Sequence, residues 1–335
     1  MKAMVLESAG APLVCAERKV PEAAGGEAVV RVKGSCLNYH DLSSIDGRIP
    51  GLPYPRVPLS DGCGEVVAVG PGVSRVRVGE RVSANFSPDW LAGPPTPEAR
   101  RHTVGDTLDG WLQEYVKLPA HCLVEIPGHL SDLEAACLPC AGVTAWRSVA
   151  VDARTQAGDW VVVQGTGGVA IFALQFAKAL GARVIVTSSS DEKLDRATKL
   201  GADHGVNYRS HPEWQQQVME ITDGRGADLV VDNGGPATLG ASVEALCMGG
   251  HVSIIGVLTG YGKAEIPLIT AMQRNATLRG VTVGSRQDFE GMLRAIEAHA
   301  LRPAISHVFG MEEVPRASEV MLAGGHLGKI AIEIP

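Results

Sequence analysis

Gln164-Gly165-Thr166-Gly167-Gly168-Val169-Ala170 is the stretch on which the reading of this chain turns. It follows an apolar run, Trp160–Gln164, and opens an amphipathic segment over Gly168–Leu180. A G-x-G-x-x-G/A pattern alone is weak, but between a strand and a helix it is a dinucleotide-binding fingerprint. Gly165 permits the tight turn, Gly167 lets the backbone approach a pyrophosphate, and Ala170 lets the helix pack closely on the strand. The helix N-terminus then faces the phosphate charge. Gly165, Thr166, Gly167, Gly168 and Val169 are therefore expected to bind a cofactor.

The next strand, Arg183–Thr187, bears on which dinucleotide this is. NAD-binding chains usually place Asp or Glu about 20 residues past the glycines, on the ribose 2′-hydroxyl. Here the position reads Thr187-Ser188-Ser189-Ser190, with no acid before Asp191. A carboxylate would repel a 2′-phosphate, whereas hydroxyls donate to one and Lys193 adds a cation. Tyr208-Arg209 follows the next short strand. The pattern favours NADP(H) over NAD(H), with Ser188, Lys193 and Tyr208 as contacts. Ser190 capping the helix and Lys193 lying on a solvated face are plainer roles, compatible with binding.

Strand and helix patterns alternate onward from Asp159. Asp191–Leu200 reads as a helix stopped by Gly201. Ser210 with Glu213 opens another, and Leu229–Asp232 and His251–Ile255 read as strands. Such alternation predicts an α/β fold with a parallel, doubly wound sheet. Residues 1 to about 125 differ: short apolar runs (Ala28–Val32, Gly64–Val69, Arg81–Ala84, Glu114–Leu118) recur between Gly and Pro, as in a turn-rich β domain. A Pro-rich stretch, Ser87–Asp106, has Phe86, Trp90 and Trp111 at its margins, to pack the loop or wall a substrate pocket. Ser131 and Glu134 form a capping box. The segment Arg286–Pro335 adds two helical patterns and a closing strand, Lys329–Ile334, and no internal repeat is visible.

Composition bounds the function. A chain of 335 residues suits two domains, and 45% apolar with 20% charged residues is ordinary for a globular protein. A net charge of −7 supplies no basic footprint for nucleic acid or anionic lipid, which leaves a small-molecule substrate. No run reaches the ~20 apolar residues of a membrane span. Seven cysteines, an odd number in a chain needing no staples, point to reduced thiols in a cytoplasm.

Val69-Gly70-Pro71-Gly72-Val73, Val78-Gly79-Glu80-Arg81-Val82 and Leu138-Pro139-Cys140-Ala141-Gly142-Val143-Thr144-Ala145-Trp146 precede the glycine loop. Gly201-Ala202-Asp203, Gly249-Gly250, Ile255-Gly256 and Gly328-Lys329 follow it. Together they resemble the medium-chain dehydrogenase/reductase superfamily over nearly the whole chain. The resemblance implies a GroES-like catalytic domain (residues 1–127 and 280–335) into which a Rossmann domain (residues 128–279) is inserted, with the substrate cleft where they meet. It implies that Thr144, Gly256 and Val257 line the nicotinamide site, and that the strand near Leu278–Val283 builds a homodimer.

Departures from the family pattern point to the chemistry. Zinc-dependent members supply a Cys, a His and a second Cys or Asp to the metal; those positions fall on Asn38, Ser60 and Cys140. The cysteines of a structural zinc lobe are missing from Ser87–Gly110. No metal is therefore expected, and His40, Asp61, Cys63 and Cys140 follow no metal spacing. A carbonyl accepting hydride still needs its oxygen stabilised and protonated. Asn38, Tyr39 and His40 are the nearest donors; His40 falls where family members relay a proton through Ser or Thr. Asn38 serving its own turn, or His40 bonding a backbone carbonyl or Asp41, are the structural alternatives. The expected activity is zinc-independent hydride transfer between NADP(H) and a quinone, α,β-unsaturated carbonyl, aldehyde or ketone. Alcohol oxidation is the second reading, and a non-catalytic NADPH-binding protein the reading from another class.

Overall fold

The glycine loop leaves a strand whose five residues are all buried, and the computed structural model, which describes residues 1–335, builds two units around that design. The first is Met1–Val143 with Val283–Pro335, and the second is Thr144–Thr282. In chain order the first unit contributes β1 (Lys2–Leu6), β2 (Leu13–Glu17), β3 (Glu27–Leu37), β4 (Asp61–Val69), β5 (Arg81–Ala84), β6 (Tyr115–Pro119) and β7 (Leu123–Glu125). The second contributes β8 (Trp160–Gln164), β9 (Arg183–Ser188), β10 (His204–Asn207), β11 (Ala227–Asp232), β12 (Leu246–Ile254) and β13 (Thr277–Gly280). The chain then returns to the first with β14 (Ile305–Gly310) and β15 (Lys329–Glu333).

In the second unit the sheet runs β10-β9-β8-β11-β12-β13, every neighbour parallel. Counted from β8, this is the doubly wound order 3-2-1-4-5-6, whose ligand crevice lies at the carboxyl ends where the order reverses. The reversal falls between β8 and β11, and β8 leads into Gly165. Val161, Val162, Val184, Ile185, Val230 and Val252 are fully buried. A parallel sheet covered on both faces demands such apolar strands.

The first unit is a β14-β15-β3-β4-β5-β7 sheet with β6 on β3, and a separate β1-β2 pair. β15 lies antiparallel to β3, with Ile330 opposite Leu37, so the C-terminal strand starts beside the end of β3. Gly328, with φ +72 and the Ala304 carbonyl 2.2 Å from where a Cβ would stand, makes the turn into β15.

Several elements differ from expectation. Residues 128–143, grouped by sequence with the dinucleotide domain, belong to the first unit: Ser131 caps the helix Asp132–Ala136 with Glu134 as predicted, and Leu133 packs at Gly34 of β3. Ser210 does not open the next helix, because its hydroxyl donates back to Asn207 O at 3.1 Å; the helix Trp214–Ile221 starts from Glu213. The helix Tyr39–Ile45 and strands β1, β2 and β14 went unforeseen, being short or half-exposed.

Trp111 is wholly buried and its ring lies 2.2 Å from where a Cβ on Gly62 would stand. Gly62→Ala is expected to push this indole out of the core of the first unit and to cost about 1–3 kcal/mol, read as a lowered thermal unfolding midpoint.

Candidate active site

β3 ends at Leu37, and Asn38 turns the chain from extended backbone into the helix Tyr39–Ile45. Asp41, one turn in, caps that helix: one carboxylate oxygen accepts from Asn38 N at 2.8 Å and the other from Ser60 N at 2.9 Å. The Asn38 side chain is thereby released from its own turn. Its Nδ2 donates to Ser60 Oγ at 3.3 Å and its Oδ1 accepts from the Lys329 ammonium. Lys329 also donates to Leu37 O at 3.1 Å and lies 3.7 Å from Asp61 Oδ2. Asp61 Oδ1 accepts from Cys140 N at 2.9 Å.

Burial governs these charges. It pushes the Asp61 carboxyl up to about 7, although Lys329 and Asn38 pull it down. Burial works against the Lys329 ammonium too, but the Asp61 carboxylate beside it holds the lysine above its ordinary value. Burial keeps Cys140 and Cys63 as thiols, the latter pushed up to about 12.

His40 stands at the edge of this cluster with 31% of its side chain exposed. Its Nε2 pairs with Asp106 Oδ2 at 2.7 Å, while Ser44 Oγ donates to Asp106 Oδ1 at 2.5 Å. Arg56 clamps the arrangement by donating to Ser44 O, Ser44 Oγ and Gly105 O. Phe86 meets the imidazole edge-on, ring centres 5.1 Å apart. Burial alone would lower the His40 pKa; Asp106, then Asp41 and Asp61, outweigh it and the net shift is upward. Asp106 itself is raised by burial but held below the ordinary range by His40, Ser44 and Arg56. The partner of His40 is thus Asp106, neither Asp41 nor a backbone carbonyl.

Of the three predicted donors, Asn38 and His40 converge on this cluster, whereas Tyr39 is 36% exposed and its hydroxyl takes no part in it. Phe86 and Trp90 pack with Val283 beside Cys140, and Trp111 belongs to the core. Asp106 and Lys329 were missed as site residues. Asp106 closes the Pro-rich loop 66 residues from His40, and Lys329 is a lone cation opening an apolar strand; each was a visible anomaly.

In the second unit Gly165 turns with φ +80, and Gly167 precedes the helix Gly168–Ala179 with no side-chain cap. The first-turn amides are left for an anion. Gln164 anchors the loop through Ser242, Asp232 and the Gly234 amide. Thr166 and Thr144 are buried. Gly256 allows a close approach, since a Cβ there would stand 2.0 Å from Asn233 O, and Val257 beside it is 36% exposed. Tyr208 N donates to Ser188 O at 3.0 Å, and Ser190 caps the following helix through Lys193 N. Ser188, Lys193 and Tyr208 are therefore gathered at the ends of β9 and β10, where Asp191 is tied to Asn207.

Two family models match: an alcohol dehydrogenase GroES-like domain over residues 24–128 and a zinc-binding dehydrogenase over residues 168–298. A zinc-type alcohol dehydrogenase-like protein of Schizosaccharomyces pombe is 41% identical over 95% of this chain and 94% of its own. A solved structure of a provisionally assigned alcohol dehydrogenase from Sinorhizobium meliloti 1021 superposes with TM-score 0.94 at 42% identity, covering 99% of this chain and 98% of that one. A NAD-dependent alcohol dehydrogenase superposes with TM-score 0.91 at 33% identity over the whole of both chains. This chain belongs to the medium-chain dehydrogenase/reductase superfamily. It is an alcohol-dehydrogenase-like oxidoreductase, and its α/β fold with a parallel sheet and a GroES-like domain is the one the resemblance implied. The zinc-binding dehydrogenase match begins after Asn38, Ser60 and Cys140, so that description carries no information about a metal at those positions.

The His40–Asp106 pair sets a pH dependence. A histidine raised in the folded state contributes stability that is fully present below about 6.5 and is lost as pH climbs through the raised value. Asp106→Asn is expected to bring the His40 pKa down, because burial remains without the carboxylate. Titration of the His40 ring by NMR measures this, and an unchanged midpoint would contradict the pairing.

Proposed function

We propose that this protein is a zinc-independent reductase that transfers hydride from a nicotinamide cofactor, preferentially NADPH, to an activated carbonyl-type acceptor. The observation that carries the reading is the Asn38–Ser60–Lys329 contact set, which does not fit zinc. A catalytic zinc takes three protein ligands and keeps one open position. Asn38 and Ser60 are engaged with each other, and the Lys329 ammonium on Asn38 would repel a dication. No three His, Cys, Asp or Glu side chains gather to hold an ion.

The nicotinamide, when bound, supplies the hydride and its two electrons. The carbonyl π pair moves onto oxygen, which calls for a hydrogen-bond donor, and Asn38 is the amide donor in this reading. His40, raised in pKa and partly exposed, then delivers the proton, with Asp106 orienting its ring. Tyr39 would act only as a wall. Quinones and enones spread the arriving charge and ask least of these donors, so they head the acceptor class. Aldehyde reduction and its reverse, alcohol oxidation, form the second reading, favoured by the names of the relatives. Ser188, Lys193 and Tyr208 support NADPH because they offer hydroxyls and a cation where NAD-binding chains place a carboxylate. Cysteines that form no disulfide fit a reducing cytoplasm.

The same reading makes the protein a homodimer. β13 is the edge of its sheet, and the helix Leu268–Gln273 before it buries no residue, with Leu268, Ile269 and Met272 each 66% exposed. A second copy added along β13 would satisfy both the open edge and the apolar face. Sedimentation of the parent as a dimer and of Ile269→Glu as a monomer is the expected result; a monomeric parent refutes the assembly.

Activity against a quinone, an enone, an aldehyde and, with oxidised cofactor, a secondary alcohol tests the chemistry. After metal chelation, NADPH oxidation is expected to persist, to exceed NADH oxidation, and to fall on the alkaline side above pH 6.5. His40→Gln is expected to abolish that alkaline limb. Loss on chelation with recovery on adding zinc would overturn the reading, and cofactor binding without turnover would favour a non-catalytic protein.

A further inference from the structure

Arg56 is 2% exposed, and the hydrogen bonds of its guanidinium go to neutral oxygens alone. Its backbone is fastened to β1 on both sides, with Arg56 N donating to Leu6 O at 3.1 Å and Leu6 N to Arg56 O at 2.8 Å. From there the side chain passes the Tyr54 ring, 5.3 Å from its centre, and reaches two further pieces of chain. It donates to Gly105 O at the end of the Pro-rich loop. In the helix Tyr39–Ile45 it donates to Ser44 O at 2.9 Å and to Ser44 Oγ at 2.6 Å. A buried charge is costly to keep, and one that only stapled segments together could give way to apolar packing.

What the guanidinium does accomplish is to aim a proton. It has donors and no acceptor, so Ser44 Oγ can only accept from it. The hydroxyl hydrogen is left for the other oxygen in reach, Asp106 Oδ1 at 2.5 Å. With Oδ1 occupied, Asp106 turns Oδ2 to His40 Nε2 at 2.7 Å. Burial raises the Asp106 carboxyl, but His40, Ser44 and Arg56 outweigh it and keep the group charged. A charged carboxylate only accepts, so Nε2 keeps a proton whether the imidazole is neutral or cationic. Nδ1 has no partner in the protein and is not sealed from solvent.

We infer that Arg56 and Ser44 are positioning residues for the proton transfer: acting through Asp106, they fix His40 so that Nδ1 is the nitrogen that gives its proton to the substrate. The inference rests on the reading of His40 as proton donor given above. The hydride forms the new C–H bond, the C=O π pair becomes a lone pair on oxygen, and the Nδ1–H bond breaks as the O–H bond forms. The ring is left neutral with its remaining proton on Nε2, still facing Asp106, and a proton from solvent restores Nδ1–H.

The charges facing His40 are Asp106 on the loop, Asp41 in its own helix and Asp61 at the start of β4, with Arg56 behind Asp106 and Lys329 beyond Asp61. Proximity and positioning therefore carry opposite signs. Were Arg56 only a nearby cation, deleting it would raise the His40 pKa; the Ser44 O–H, which offsets the same carboxylate, would follow suit. Because they hold Asp106 in place, deleting either frees the carboxylate to turn away, and burial then lowers the pKa.

The test titrates the His40 ring by NMR in the full-length parent, Arg56→Met, Ser44→Ala and Arg56→Lys. It also follows kcat against pH with one quinone and one aldehyde, using the nicotinamide the parent prefers. Ring nitrogen shifts in the parent are expected to place the proton of the neutral imidazole on Nε2. Arg56→Met and Ser44→Ala are expected to lower the midpoint and to draw the alkaline limb of kcat down with it. They are expected to cost roughly tenfold in kcat on that side and to leave the cofactor KM unchanged. Arg56→Lys is expected to restore part of the midpoint, since an ammonium still donates to Ser44 Oγ. Should Arg56→Met fail to fold, Ser44→Ala decides alone. A midpoint that rises or stays put, or that falls without the alkaline limb following, would overturn the positioning role while leaving the function standing. A parent that reduces neither acceptor would overturn both.

Discussion

A lysine ammonium buried in the first unit must be met by oxygens or lose its proton, and much of the site's geometry follows from meeting it. Stripping water from an ion costs several kcal/mol, recovered only when geometry and hydrogen bonds are both good. The Lys329 solution draws on distant pieces of chain: the end of β3 supplies Leu37 O and Asn38, the start of β4 supplies Asp61, and β15 carries the lysine itself. The pairing of β15 with β3 sets that distance, so the C-terminal strand is as much part of the site as the N-terminal loop.

Charge balance extends outward from there. Asp41 is buried and pushed up by that burial, and it remains useful because it holds two backbone amides, Asn38 N and Ser60 N. Asp106 answers Arg56 through Ser44 and answers His40 directly. Three carboxylates and three potential cations thus share one region, each with a mechanical task. Asp41 shapes the turn, Asp61 offsets the lysine and receives the Cys140 amide, and Asp106 aims the imidazole. Because several of these groups are coupled, removing one charge alone leaves its partner buried and exposed to the full desolvation penalty.

The dinucleotide half was largely legible. Gly165 and Gly167 name their own backbone requirements, and the strands around them are apolar runs whose period and length leave little choice. In the first unit, Asn38 and His40 stood out by residue type, but their partners did not. Asp106 reaches His40 from a Pro-rich loop that no periodicity describes, and Lys329 reaches Asn38 only once β15 has found its place on β3. Ser210 misled because a hydroxyl three residues before Glu imitates a cap, while the strand end claimed it first. Long-range pairing, more than local propensity, separates what could be read from what could not.

Asn38 and His40 sit in different settings. Asn38 is 6% exposed, tied on its oxygen by a cation and on its nitrogen by Ser60, and cannot titrate. A group that stabilises developing charge gains from being fixed before the charge arrives, since no reorganisation is then required during the step. His40 is more open, held by one carboxylate and one aromatic edge. Water can reach such a ring. In the proposed chemistry, a rigid neutral donor and a rechargeable acid would divide the work that a bound metal and its water combine at one point.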